Sequence, residues 1–253
     1  MSTSPNKGTK RGRRSRGDLT LTLRFVVPIV RGMSKLLFKQ RFENQERIPS
    51  SGPVLLVINH VAVVDPLAVA SYVWGAGRLP RFMIKDGVYK VPIVGPIMSR
   101  CMQIPVSRGS ANALKSIDDA VGILKGGGVV VVYPEGTVTR NEDFWPMRSK
   151  TGVARIARAA PDVPVITLSQ WGAQDAWNYH TRKRDLFPRK QVRIVTRHEL
   201  DLSEERALPE PAALRAMTDR MMNDIAEGVG ELRGTTPPSD LFKTGPRQQG
   251  EAL

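Results

Sequence analysis

The sequence predicts an α/β protein with a mostly parallel or mixed central sheet, helices on both faces, and an amphipathic helical segment in front. Two observations predict it. Short apolar runs rich in β-branched residues, at 53–58, 129–133 and 163–168, have the length and composition of strands buried on both faces. Between them lie longer stretches with apolar residues at helical spacing, and this alternation is the signature of crossover units that cover both sides of a sheet. In such sheets, sites gather where strands run into loops at their C-terminal ends.

Taken in order, residues 1–17 read as a disordered basic arm, with Lys7, Lys10, Arg11, Arg13, Arg14 and Arg16 and no acid among them. Residues 18–44 form the helical segment, bent at Pro28. Leu19, Leu23, Val26, Val27, Val30, Met33, Leu37 and Phe38 make a wide apolar face, edged by Arg24, Arg31, Lys35 and Lys39. That pattern fits a helix lying in a membrane interface, and equally one packed on the domain core. Residues 45–233 make one domain. After the strand at 53–58, a helix starts at Pro66 with Asp65 as its N-cap. Strands follow at 81–84 and 102–106, then a helix at 111–124 that Gly126, Gly127 and Gly128 end. The strand at 129–133 is the clearest in the chain. A helix at 150–160, strands at 163–168 and 191–196, and a helix at 211–232 complete the domain. Residues 234–253 are polar and rich in Pro and Gly, and read as disordered.

The chain has 253 residues and a formal net charge of +14, so an anionic partner is expected: nucleic acid, an anionic bilayer or a phosphorylated substrate. The single cysteine, Cys101, cannot form an internal disulfide, which fits a reducing compartment. No signal peptide is expected, because the first eighteen residues are polar throughout. Nor is a spanning helix, which needs about 18–20 apolar residues; Arg24, Pro28, Arg31 and Lys35 interrupt the best stretch.

Three junctions between strand and loop carry the chemistry. Asn59 and His60 follow the first strand, with Asp65 five residues after the histidine. A carboxylate there can fold back to the imidazole, fix its tautomer and stabilise its protonated form, as in a catalytic triad. By itself the pair is also compatible with a structural histidine and an ordinary helix cap. The third strand ends toward Arg108 and Gly109, a guanidinium and a flexible backbone suited to a phosphate or simply to a surface. The fourth ends in Tyr133-Pro-Glu135-Gly136-Thr137, a rigid turn whose glutamate projects at the sheet edge, free to bind a hydroxyl or an arginine. No Gly-x-Ser-x-Gly elbow, P-loop or metal-spaced cluster accompanies them. A base without a nucleophile of its own points to a substrate that is the nucleophile.

These elements resemble, in order and approximate spacing, the glycerolipid acyltransferases, whose best-known members are the lysophosphatidic acid (1-acylglycerol-phosphate) acyltransferases. Asn59-His60-Val-Ala-Val-Val-Asp65 resembles the family's histidine-x4-aspartate motif, and the stretch from 94 to Arg108 and Gly109 its second block. Pro134-Glu135-Gly136-Thr137 resembles the third, and Val163-Pro164 the fourth. Lys150-Thr-Gly152 matches the usual Lys-x-Gly. The resemblance spans roughly residues 45–200. Val138-Thr139 stand where the family often has Arg-Ser, with Arg140 next, and Ala62 and Val63 stand where it often has Ser.

The resemblance implies that His60 is the general base and Asp65 its orienting acid. Arg108, Glu135, Gly136 and Thr137 would bind the acceptor, with Lys85, Arg100 and Lys150 as further phosphate-binding candidates. The donor would be acyl-CoA or acyl carrier protein and the acceptor a lysophospholipid, foremost lysophosphatidic acid, with glycerol-phosphate or a glycolipid as alternatives. No cofactor or metal is implied. The enzyme would be peripheral, on the anionic cytoplasmic side of the cell membrane. A basic module that binds nucleic acid or membrane without catalysis would give His60 no special role, and the complete set of motifs disfavours it.

Overall fold

The structure, a computed structural model, describes residues 21–107, 110–239, 241 and 242. The basic arm at 1–17, Arg108 and Gly109 lie outside the described residues.

The chain begins with α1 (Leu21–Leu37), which passes directly into β1 (Phe38–Glu43). Then come β2 (Val54–Ile58), α2 (Asp65–Gly75), β3 (Pro80–Lys85), α3 (Val94–Arg100), β4 (Ile104–Val106), α4 (Ser110–Lys125) and β5 (Val129–Val132). The rest comprises α5 (Gly152–Ala159), β6 (Val165–Trp171), the short α6 (Ala173–Ala176), β7 (Lys190–Glu199), the short α7 (Ser203–Arg206) and the long α8 (Ala212–Arg233).

All seven strands form one sheet in the order β1-β7-β6-β2-β5-β3-β4. From β6 to β4 every neighbour is parallel, while β7 runs antiparallel to β6 and β1 runs parallel to β7. The sheet is therefore mixed, with five strands in one direction and two reversed, β7 and the edge strand β1. Its central strands are apolar throughout because both faces are covered. Leu55, Val57, Val130 and Val132 face a core formed with α4, α5 and α8, whereas Leu56, Ile58, Val129 and Val131 face α2 and Phe38.

Two expectations are corrected here. Residues 38–43 are a strand, not the end of the first helix, and Phe38 is buried. Alternation decides it: Phe38 and Gln40 turn inward, Gln40 toward Ser34, while Lys39 and Arg41 face solvent. At the other end, Gly234 closes α8 with a left-handed φ of 71°, and beyond it Leu241 and Phe242 pack against the core instead of leaving it.

Candidate active site

The C-terminal ends of β2 and β5, neighbours at the centre of the sheet, bring the first and third motifs together. The His60 Nδ1 lies 3.0 Å from Asp65 Oδ2. That oxygen also accepts the backbone N–H of Val61 at 2.9 Å and of Ala62 at 3.0 Å, while Oδ1 accepts the Tyr133 hydroxyl at 2.9 Å. Asp65 is fully buried at the first turn of α2. It does not act as the helix cap that its place before Pro66 suggests; its side chain turns back over the loop it follows. Val61 N–H, Ala62 N–H and the Tyr133 hydroxyl all donate to it, and the tautomer in which His60 Nδ1 also donates leaves Nε2 with its lone pair.

The Tyr133 ring stacks on His60 with centroids 4.3 Å apart. Burial and the adjacent Asp65 hold the tyrosine well above its ordinary pKa, so it stays a donor. Burial by itself lowers the histidine. The Asp65 carboxylate, by charge and hydrogen bond, and Glu135 outweigh burial and raise His60 above 6.5.

Glu135 departs from expectation. It is buried rather than projecting at the sheet edge. Its Oε1 accepts the backbone N–H of His60 at 2.9 Å, and its Oε2 that of Met147 at 3.0 Å. One side chain thus ties the histidine to the loop at 139–149, and Thr139 N–H donates back to His60 O at 2.8 Å. Burial pushes the Glu135 carboxyl up to about 7, although the two N–H groups and His60 favour its anion. Its folded pKa exceeds its ordinary 4.5, so its contribution to stability is full below 4.5 and is lost as pH rises through about 7. Glu135→Gln replaces one acceptor by a donor aimed at an N–H. The variant should lose about 1–3 kcal/mol of stability, and the gap in Tm to wild type should be widest in acid and narrow above neutrality. Thermal melts at several pH values check this.

The same loop is pinned from behind. The Arg233 guanidinium, at the end of α8, lies between the rings of Trp145 and Trp171, 4.3 and 4.4 Å from their centroids, and donates to Asp143 O at 3.0 Å. On the other side of His60, Asn59 and Gln170 exchange three hydrogen bonds across β2 and β6. Gln170 lies beyond the strand read from sequence at 163–168, which in the structure runs on to Trp171.

In front of His60 opens a cavity of about 470 Å³. Leu23, Val26, Val27 and Val30 of α1 wall it on one side, and Leu67, Ala70 and Trp74 of α2 on another. Gly136, at φ 70°, Thr137 and Lys85 line it together with His60. Arg31 joins it from α1, a cation that sequence reasoning placed only at a helix edge. Arg100 and Lys150 are exposed and do not line it. Arg108, the second motif's cation, lies outside the described residues.

A family model described as Acyltransferase matches residues 39–171, just over half of the chain, and spans all the residues around His60 except those of α1, α2's partner, and the Arg233 clamp. The chain belongs to the acyltransferase family. Among the acyltransferases it resembles, the 1-acyl-sn-glycerol-3-phosphate acyltransferase of Bacillus subtilis is 25% identical over 192 residues, covering 75% of this chain and 87% of that one. Tafazzin of Drosophila melanogaster is 28% identical over 251 residues; they cover 84% of this chain and 61% of Tafazzin. The fold is that of the crystallised 1-acyl-sn-glycerophosphate (LPA) acyltransferase of Thermotoga maritima, with a TM-score of 0.62 at 20% identity over 83% of this chain and 80% of that one.

Proposed function

We propose that this acyltransferase moves a fatty acyl group from acyl-CoA or acyl carrier protein to the free hydroxyl of lysophosphatidic acid, a step of phospholipid biosynthesis. One observation carries the proposal: an aspartate-held histidine at the mouth of an apolar cavity. The His60 Nε2 removes the proton of the acceptor hydroxyl as its oxygen attacks the thioester carbonyl. Asp65 stabilises the imidazolium that forms. Collapse of the tetrahedral intermediate expels the thiolate, which takes the proton from His60. Arg108 is assigned to the acceptor's phosphate by its motif position. Gly136, Thr137, Lys85 and Arg31, which line the cavity with His60, are assigned to the acceptor's headgroup.

The cavity suits the acyl chain. Its α2 wall runs from Pro66 beside the histidine to Trp74, eight residues or ~12 Å of helix. Ala70 sits midway along this wall. Ala70→Trp should cut transfer from long acyl donors at least ten-fold and leave short ones nearly unchanged, as donor chain-length profiles would read.

The membrane side of the proposal rests on α1. Leu21, Phe25, Ile29, Met33 and Leu36 recur every third or fourth residue and are exposed, on a stripe of the helix beside the one that walls the cavity. No helix among the described residues is long and apolar enough to cross a membrane. The helix would lie in the lipid surface, with its cations at the phosphates. Soluble acyl thioesters reach such a surface from the cytoplasm. The test is transfer by the purified full chain from labelled acyl-CoA and acyl carrier protein to lysophosphatidic acid, glycerol-3-phosphate and a lysoglycolipid. Preferred acylation of lysophosphatidic acid is expected; acylation of another acceptor with lysophosphatidic acid untouched would overturn the reading.

A further inference from the structure

A second apolar surface lies on the chain between Val88 and Met98, both of which line the cavity. After β3 the chain makes a short 3-10 turn over Asp86–Lys90 and reaches a γ-turn at Pro92, Ile93 and Val94, closed by Val94 N–H donating to Pro92 O at 2.8 Å. Ile93 forms its apex with φ 69° and ψ −48°. This positive-φ form of the turn is rare and strained, and a β-branched side chain suits it least. Burial does not compensate. Ile93 is 78% exposed, more than any other large hydrophobic side chain among the described residues, and Val91 and Val94 are exposed on either side.

The apex is also braced. Gly95 lies so close to Tyr89 that a Cβ would meet its carbonyl oxygen at 2.0 Å, and its N–H donates to Val91 O at 2.9 Å. The turn therefore holds Ile93 out on a firm base. On the same stretch of chain, before and after the turn, Lys85, Lys90 and Arg100 are exposed. The following helix, α3, packs on α1, and the two share the cavity: Met98 lines it from α3 and Val27 and Val30 from α1.

We propose that Val91, Ile93 and Val94 form a second lipid contact, a rigid apolar tip that enters an anionic phospholipid surface beside α1. The cavity between the two then opens toward hydrocarbon, and the lipid substrate enters it sideways without crossing water. An exposed apolar apex on a strained backbone is stabilised by whatever takes it out of water, and the surrounding cations match lipid phosphates. An acidic carrier protein would account for the cations but not for the isoleucine. The proposal rests on the reading that the enzyme works at a bilayer.

Flotation of the full chain with vesicles of phosphatidylcholine and phosphatidylglycerol tests it. Ile93→Asp should weaken vesicle binding roughly ten-fold or more. Ile93→Gly, which accepts positive φ without strain, should weaken it similarly while its Tm stays at or above that of wild type. Both should acylate a short-chain, water-soluble acceptor at the wild-type rate. If wild type itself does not float, the bilayer reading falls and this proposal with it. If wild type floats and both variants float equally well, the tip plays no part and the bilayer reading stands. Should Ile93→Asp float normally but lose affinity for acyl carrier protein, the partner is a protein and the proposal is overturned.

Discussion

Replacing His60 by alanine should lower acyl transfer by ~10²–10⁴-fold while leaving the protein folded. The kinetic loss follows from removing the one group at the cavity mouth that has a free basic nitrogen and a carboxylate behind it. Survival of the fold follows from Asp65. Without the imidazole its carboxylate still accepts the N–H groups of Val61 and Ala62 and the hydroxyl of Tyr133, so both buried oxygens keep hydrogen-bond donors. Single-turnover assays with circular dichroism and thermal melts on the same sample decide it. A folded His60→Ala protein with near wild-type turnover would show that another group takes the proton.

Asp65→Asn is expected to be nearly as severe, on the order of 10³–10⁴-fold in kcat, by analogy with the same change in a catalytic triad. The substitution keeps the size of the side chain. An amide oxygen can still accept the loop N–H groups and the imidazole, and the Tyr133 hydroxyl can turn to accept from the amide nitrogen. What disappears is the negative charge that raises His60 above 6.5. The pH profile separates this from a packing defect. In wild type, activity should fall in acid as His60 becomes protonated, with a midpoint above 6.5. In Asp65→Asn the acidic limb should move to lower pH, because burial, which favours the neutral ring, is no longer opposed by Asp65. A limb that stays in place while the rate drops would mean that Asp65 acts on something other than the histidine.

The central strands were legible because burial on both faces leaves a run such as Val129–Val132 little freedom of composition. The pair of His60 and Asp65 was legible because five residues of loop and helix start bring them together with few other geometries available. The edge was harder. At β1, the sequence Phe-Lys-Gln-Arg-Phe-Glu places apolar residues at a spacing of four, which suits a helix as well as a strand; only pairing with β7, about 150 residues away, chooses between them. Glu135 misled for a related reason. A glutamate in a turn is normally solvated, and the two N–H groups that hold it belong to His60 and Met147, one distant in sequence and one in an irregular loop. Backbone donors leave no trace in side-chain pattern. The γ-turn at Ile93 was equally invisible, since neither proline nor isoleucine favours positive φ.

The sandwich of Arg233 between Trp145 and Trp171 also bears on the order in which the chain is made. His60, Asp65 and Glu135 leave the ribosome long before the arginine does, and the loop that buttresses the histidine has its rear support only once the last turn of α8 has docked. A nascent chain carrying every recognisable motif therefore still lacks the clamp on the loop behind His60. This arrangement ties the bracing of that loop to completion of the domain: the motif residues are synthesised early, and the arginine that supports them from behind arrives late.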